Sequence, residues 1–308
     1  MSFWENKRVL VTGSTGFVGR HLSKRLTSLG AEVFGLARNA KGPNSLKVDI
    51  LDFKIIDKLV KENRIDICFH LAGEALVEAG QHDPYNTFRT NVDGTLNVLE
   101  VSRRNNLERI IIASTSHVYG DNKVPFLESY TPKPSRPYET SKTCTDLIAQ
   151  SYADAFSLPV LIPRFVNIYG PGDLNFNRLI PKTIKSILKG KSPEMWGGLA
   201  RRDYLYVDDA VDAYIKLGEL PKKLMQKNRI YNFGTGEIVS VKNLINKIIK
   251  LSGKKLSIKK VVDARPDEIS SQYVSSEKAR QVLGWKSKHK LDVSLEETID
   301  WYQNYFKK

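Results

Sequence analysis

The chain has 308 residues, is 41% hydrophobic and 27% charged, and carries 48 Lys and Arg against 34 Asp and Glu, a net charge of +14. That length holds one large domain or two modest ones with a substantial core, and no apolar run approaches the ~20 residues of a membrane span. The lysines are dispersed or flank helices (182–191, 247–260) without interleaved aromatics. The charge therefore reads as a basic surface suited to a small anionic substrate, not as a nucleic-acid face. Residues 1–6 lack a signal-peptide core, and the two cysteines, Cys68 and Cys144, fall in an expected strand and helix. Reduced core thiols and a cytoplasmic location are expected.

Residues 7–12 form an apolar strand-type run leading into Gly13-Ser14-Thr15-Gly16-Phe17-Val18-Gly19, and residues 20–29 follow with helical spacing. Strand, glycine turn and helix are the context of a dinucleotide site. Gly13 makes the tight turn, Gly16 admits the pyrophosphate to the helix N-terminus, and Gly19 allows close helix–strand packing. The second strand, 31–37, ends in Ala37-Arg38-Asn39 without the carboxylate that holds the ribose of NAD. Arg38 there suits a 2′-phosphate, so NADP is expected over NAD. A third strand, 45–48, ends at Asp49-Ile50, and an amphipathic helix covers 53–63. The fourth strand, 66–73, carries His70 as a packed strand-end residue and closes on Leu71-Ala72-Gly73. A long helix over 83–105 contains Asn91, and the β-branched run 109–114 reads as a buried parallel strand. This alternation gives a doubly wound parallel sheet, with ligands outside the carboxyl ends of its strands. Thr115 falls at such an end.

A proline-rich loop, 125–137, leads into a helix over 138–156. Tyr138 and Lys142 share a face of it. A neighbouring ammonium favours the phenolate, and a tyrosine tuned that way suits acid–base work on a sugar hydroxyl. Residues 158–164 form a strand whose prolines suggest ends or irregularity. Further on come a strand and turn (231–236) and helices at 240–251, 275–283 and 295–306. No metal cluster is apparent, and His117 has no His or Cys partner at ligand spacing.

Three motifs in order, Gly13 to Gly19, Thr115 with Val118-Tyr119-Gly120, and Tyr138 with Lys142, resemble the extended short-chain dehydrogenase/reductases of the nucleotide-sugar epimerase/dehydratase group. The resemblance covers essentially the whole chain. It implies a Rossmann-type α/β domain over 1–165, to which the chain returns around 204–234. A smaller, discontinuous α/β substrate domain lies mainly in 166–308. It implies cofactor contacts at Asp49, Ile50, Leu71, Ala72, Gly73 and Asn91 and at the glycine turn. It also implies a nucleotide-diphosphate sugar held by Asn167, Asn177, Arg202 and Arg265, and a homodimer through the 84–105 and 138–156 helices.

The implied chemistry begins with C4 of a hexose. Tyr138 takes the hydroxyl proton, Thr115 shares the hydrogen bond, Lys142 holds the nicotinamide ribose, and the cofactor carries the hydride. Dehydratases of this group carry an acidic residue or pair just after the Thr; here Ser116 and His117 stand there. The expectation is a 4-epimerase or 4-keto reductase. A 4,6-dehydratase with His117 as the acid is the alternative, and a non-catalytic NAD(P)-binding scaffold is the alternative from another class.

Overall fold

The computed structural model describes residues 2–40, 45–225, 228–262 and 269–307. Seven parallel strands run in the order β3 (Ser45–Lys47), β2 (Glu32–Ala37), β1 (Arg8–Thr12), β4 (Ile67–His70), β5 (Arg109–Ile112), β7 (Val160–Phe165), β11 (Ile230–Phe233), and β6 (Ser114–Thr115) continues beyond β5 against β7. The order reverses between β1 and β4, which opens the crevice where α/β sheets bind ligands. Alternation explains why the strands are apolar throughout. Val9 and Val11 enter one core cluster with Phe69 and Ile111, whereas Leu10 enters the other with Cys68, Ile110 and Ile112. Both faces are covered, so neither tolerates polar residues.

A smaller sheet centres on β10 (Arg201–Tyr206). It pairs in parallel with β8 (Asn167–Tyr169) and β14 (Ser271–Gln272) and antiparallel with β12 (Ile238–Ser240). A parallel pair, β9 (Glu194–Trp196) with β13 (Lys259–Val262), stands apart. The helices Leu179–Leu188, Val241–Leu251 and Leu291–Lys307 contribute a third core cluster, including Ile184, Ile245, Leu295 and Tyr302.

Two elements differ from expectation in ways that matter to the site. The helix expected over 83–105 is helical throughout but carries a π-helical turn, Arg89–Asp93, between Pro84–Phe88 and Gly94–Arg104. Such an extra residue is commonly kept where a side chain must be re-aimed, and Asn91 lies in it. The strand with two prolines is interior, with Pro163 inside β7. Proline cannot donate to a ladder, and Pro163 sits where the neighbouring edge changes from β5 to β6, at Ala113. Cys68 is buried, and burial pushes its thiol up to about 12, an inert core group; Cys144 is only half-buried, not a core residue.

Candidate active site

The glycine turn follows β1. Gly13 has φ +71°, open to few residues but glycine, and a Cβ there would lie 2.8 Å from the Ala72 amide nitrogen, after β4. A Cβ on Gly19 would stand 2.2 Å from the Gly13 carbonyl oxygen. Gly16 caps the Phe17–Ser28 helix with no side-chain hydrogen bond, and no acidic residue occupies the first turn, formed with Phe17 and Val18. Thr15 is exposed, and the Ser14 hydroxyl is buried without a partner. Free helix amides, an orphaned hydroxyl and backbone packed too closely for side chains fit a dinucleotide pyrophosphate. Arg38 is exposed just beyond β2. Asp49 is exposed and its carboxylate accepts the Leu51 amide at 2.9 Å. Ile50 is buried, against Gly94.

Leu71 and Ala72 are half-buried and Gly73 is exposed. Asn91 is placed differently from the expected cofactor contact. It is 1% exposed. Its Oδ1 accepts the Glu74 amide at 2.8 Å, and its Nδ2 donates to the Glu74 carbonyl at 3.1 Å and to Ser141 Oγ at 2.8 Å. With both amide hydrogens used inside the protein, Asn91 clamps the loop after β4 to the helix that carries Ser141. Ser141 Oγ in turn donates to the Tyr138 carbonyl at 2.8 Å.

His70 belongs to the same scaffold. Thr95 donates to the Asn91 carbonyl (2.6 Å), so its oxygen receives His70 Nε2–H (3.1 Å), and His70 Nδ1 accepts from Thr12 (2.8 Å). Burial pushes the imidazole down to about 3. It is a neutral strut, as the sequence led one to expect.

The helix that carries Tyr138 and Lys142 is Pro137–Phe156. Tyr138 is 7% exposed, and the Thr115 side chain stands close enough to lower its phenol. Thr115 Oγ1 accepts the His117 amide at 3.2 Å. The expected lowering of Tyr138 by Lys142 is corrected here. Burial, the largest influence, raises the phenol; Thr115 and the Arg178 charge lower it, and Glu74 and Glu139 raise it. Lys142 instead turns its ammonium onto the Ala113 carbonyl at 2.6 Å. Burial pushes it down to about 8, against the pull of Asp146. Ala113, between β5 and β6, donates its amide to the His70 carbonyl at 3.1 Å and gives its own carbonyl to the lysine.

Ser116 is buried, in the 3-10 turn Ser116–Tyr119. His117 Nδ1 lies 3.5 Å from Oε1 of the fully buried Glu139, and its ring packs edge-on to Tyr138 with centroids 5.9 Å apart. The sequence reading missed Glu139, because an acid in a helix's first turn is ordinary.

Asn167 is half-buried on β8, paired with Tyr204, and Asn177 is exposed, its amide on Asn175 Oδ1 at 3.1 Å. Arg202 sits on β10, next to the buried Asp203, which holds the turn at Thr235 and Gly236. Arg265 lies outside the described residues. Arg178, also missed, caps the Leu179–Leu188 helix and pairs with Asp173 at 3.2 Å. A cation at a helix N-terminus opposes the dipole, and that was its signal.

A sheet-end crevice with a glycine turn on one side and Thr115, Tyr138 and Lys142 on the other fits a dinucleotide-dependent enzyme. The chain belongs to the NAD dependent epimerase/dehydratase family, whose model matches residues 9–234. It is 28% identical to the dTDP-D-glucose 4,6-dehydratase of Bos taurus, covering 97% of this chain and 90% of that protein. The UDP-glucose 4-epimerase of Thermotoga maritima, solved with UDP-glucose, is 28% identical with a TM-score of 0.88 over 97% of this chain and 99% of that one. The UDP-glucuronic acid 4-epimerase of Bacillus cereus, solved with UDP-glucuronic acid and NAD, is 26% identical with a TM-score of 0.86 over the same shares, 97% and 99%. Among the described residues no helix is long and apolar enough to cross a membrane.

Proposed function

We propose that this protein oxidises C4 of a nucleotide-diphosphate hexose and returns the hydride, acting as a 4-epimerase. The observation that carries this is the placing of Thr115, at the carboxyl end of the sheet, beside the buried Tyr138 whose phenol it lowers, with Lys142 one turn on. Bound at the glycine turn, the dinucleotide supplies acceptance and return of the C4 hydride. Tyr138 takes the C4 hydroxyl proton. Thr115 lowers the phenol and steadies the phenolate. Lys142 contributes its charge and a donor for ribose hydroxyls. Asn167, Asn177, Arg202 and Arg265 are assigned to the substrate's diphosphate and nucleotide, where forked guanidinium donors suit phosphate oxygens. Arg178 joins them as a cation within electrostatic reach of Tyr138.

Arg38 at the end of β2 favours a 2′-phosphate, so NADP is proposed as the tighter cofactor, although the Bacillus cereus relative was solved with NAD. A homodimer through the 84–105 and 138–156 helices belongs to the same proposal: Tyr85, Leu147 and Phe156 on them are exposed. Sedimentation equilibrium reads it, and a monomer at micromolar concentration would remove it. A dehydratase is the second reading, favoured by the His117–Glu139 pair. Incubation with UDP-, GDP-, CDP- and dTDP-hexoses, followed by mass and proton NMR, separates the readings. Unchanged mass with inverted C4 is expected. Loss of one water would give the dehydratase, and reaction only with a 4-keto sugar and reduced cofactor would give the reductase.

A further inference from the structure

Three exposed apolar side chains sit together on the corner formed by β9 and β13, away from the Tyr138 site. Leu199 is 84% exposed, Trp196 39% and Val261 37%. The strands run in parallel with Val262 opposite Trp196, and the Gly197 amide donates to the Val262 carbonyl at 3.2 Å, so all three stand at one end of the pair. The loop after β9 is tightly held. A Cβ on Gly198, φ +129°, would lie 2.6 Å from Met195 Sδ. The Gly198 and Ala200 carbonyls accept the Lys242 and Val241 amides, each at 3.0 Å, in the first turn of the Val241–Leu251 helix. Met195 and Ala200 are buried. Fixed on both sides, the backbone turns Leu199 outward. A single exposed leucine is ordinary, but an apolar tip on a braced loop beside a tryptophan is a patch.

The charge around this tip has one sign. Residues 239–262 hold seven lysines and no Asp or Glu, half of the net charge of +14. Lys242 and Lys250 lie on the outer face of the helix, Lys254 and Lys255 follow its end, and Lys259 and Lys260 stand on β13; all six are exposed. Lys189 and Lys191, also exposed, lead the chain into β9. Two carboxylates reach into the cluster: Asp292 pairs with Lys247, and Glu194 lies 3.4 Å from Lys259.

We propose that this corner docks on an anionic lipid bilayer, with Leu199 and Trp196 entering the headgroup boundary and the lysines facing anionic headgroups. Binding of this kind draws on buried apolar area and on attraction to the charged leaflet together. Lysine stems lie along apolar surface while their ammoniums stay in water, and an indole suits the boundary because one end is apolar and the other polar. A nucleic acid fits less well. The cations of 239–262 are all lysine, without the planar fork of arginine, and a phosphate backbone offers nothing to Leu199. A second copy of the chain on the same face would set seven lysines against seven.

The test is co-sedimentation of the full chain with vesicles of phosphatidylcholine containing about 30% phosphatidylserine, and with phosphatidylcholine alone. The protein is expected to pellet with the anionic vesicles, not with the neutral ones, and to be released by high salt. Leu199→Ser is expected to weaken binding about tenfold. Lys254→Glu combined with Lys255→Glu is expected to weaken it at least ~10-fold, with thermal melting unchanged in both; the lysine variant carries the test should Leu199→Ser fail to fold. Absence of pelleting with anionic vesicles in low salt would overturn the proposal. So would undiminished binding by Leu199→Ser together with equal binding to duplex DNA, which would reduce the corner to a general polyanion patch.

Discussion

Tyr138 and Lys142 share a helix face, yet each answers to different surroundings. Burial raises the phenol and lowers the ammonium, the latter to about 8. Both shifts favour the uncharged forms, so the phenolate depends on the Thr115 hydroxyl and on the Arg178 charge. Tyr-x-x-x-Lys spacing made the pair legible in the sequence. It did not reveal that the lysine's partner would be a backbone carbonyl, because the sheet break at Ala113 is a tertiary feature. Arg38 is a prediction at this scale. Titration with both cofactors should give tighter NADP than NAD binding, and Arg38→Ala should weaken NADP by about tenfold or more, roughly 1.4 kcal/mol. Tighter NAD binding in the wild type would remove the arginine's assigned role.

At the scale of elements, the β6 end of the sheet is held from behind by a buried ion pair. Arg164, 1% exposed on β7, places Nε and Nη2 on the Asp146 carboxylate at 2.8 and 2.9 Å and stacks on the Tyr119 ring. Ser114, next to Thr115, donates to the same carboxylate at 2.8 Å. Removing either partner leaves a buried charge uncompensated, which costs about 3–5 kcal/mol. Arg164→Met or Asp146→Leu should each lower urea stability by that order, and the double variant should lose much less than the sum; additive losses would show that the pair is not coupled. Neither residue stood out in the sequence, since eighteen positions separate them and only the packing of the Pro137–Phe156 helix on β7 joins them. The helix over 83–105 was legible from its periodicity, but its π turn was not: it depends on Asn91 reaching Glu74 and Ser141 together.

At the scale of the molecule, the helix after the glycine turn and the loop after β8 meet directly. His21, one turn into the first helix, is hydrogen-bonded to the Pro171 carbonyl at 2.8 Å, and Phe17 packs against the third core cluster. The alternation of strands and helices made the large sheet readable, because each parallel strand must be covered on both faces. The smaller sheet was not readable: its strands are short, and they pair across more than thirty residues around β10. Arg178 shows the same limit, since its sequence neighbours say nothing of Tyr138, and the sequence around Glu139 says nothing of His117, which it faces.

The central claim is that Tyr138 moves the C4 hydroxyl proton. The measurement that tests it most directly is turnover of the accepted nucleotide hexose by wild type and Tyr138→Phe, with cofactor affinity measured on the same samples. The account predicts a loss of about 10²–10⁴-fold in kcat with cofactor affinity retained. A phenylalanine variant that still inverts C4 at the wild-type rate would contradict it.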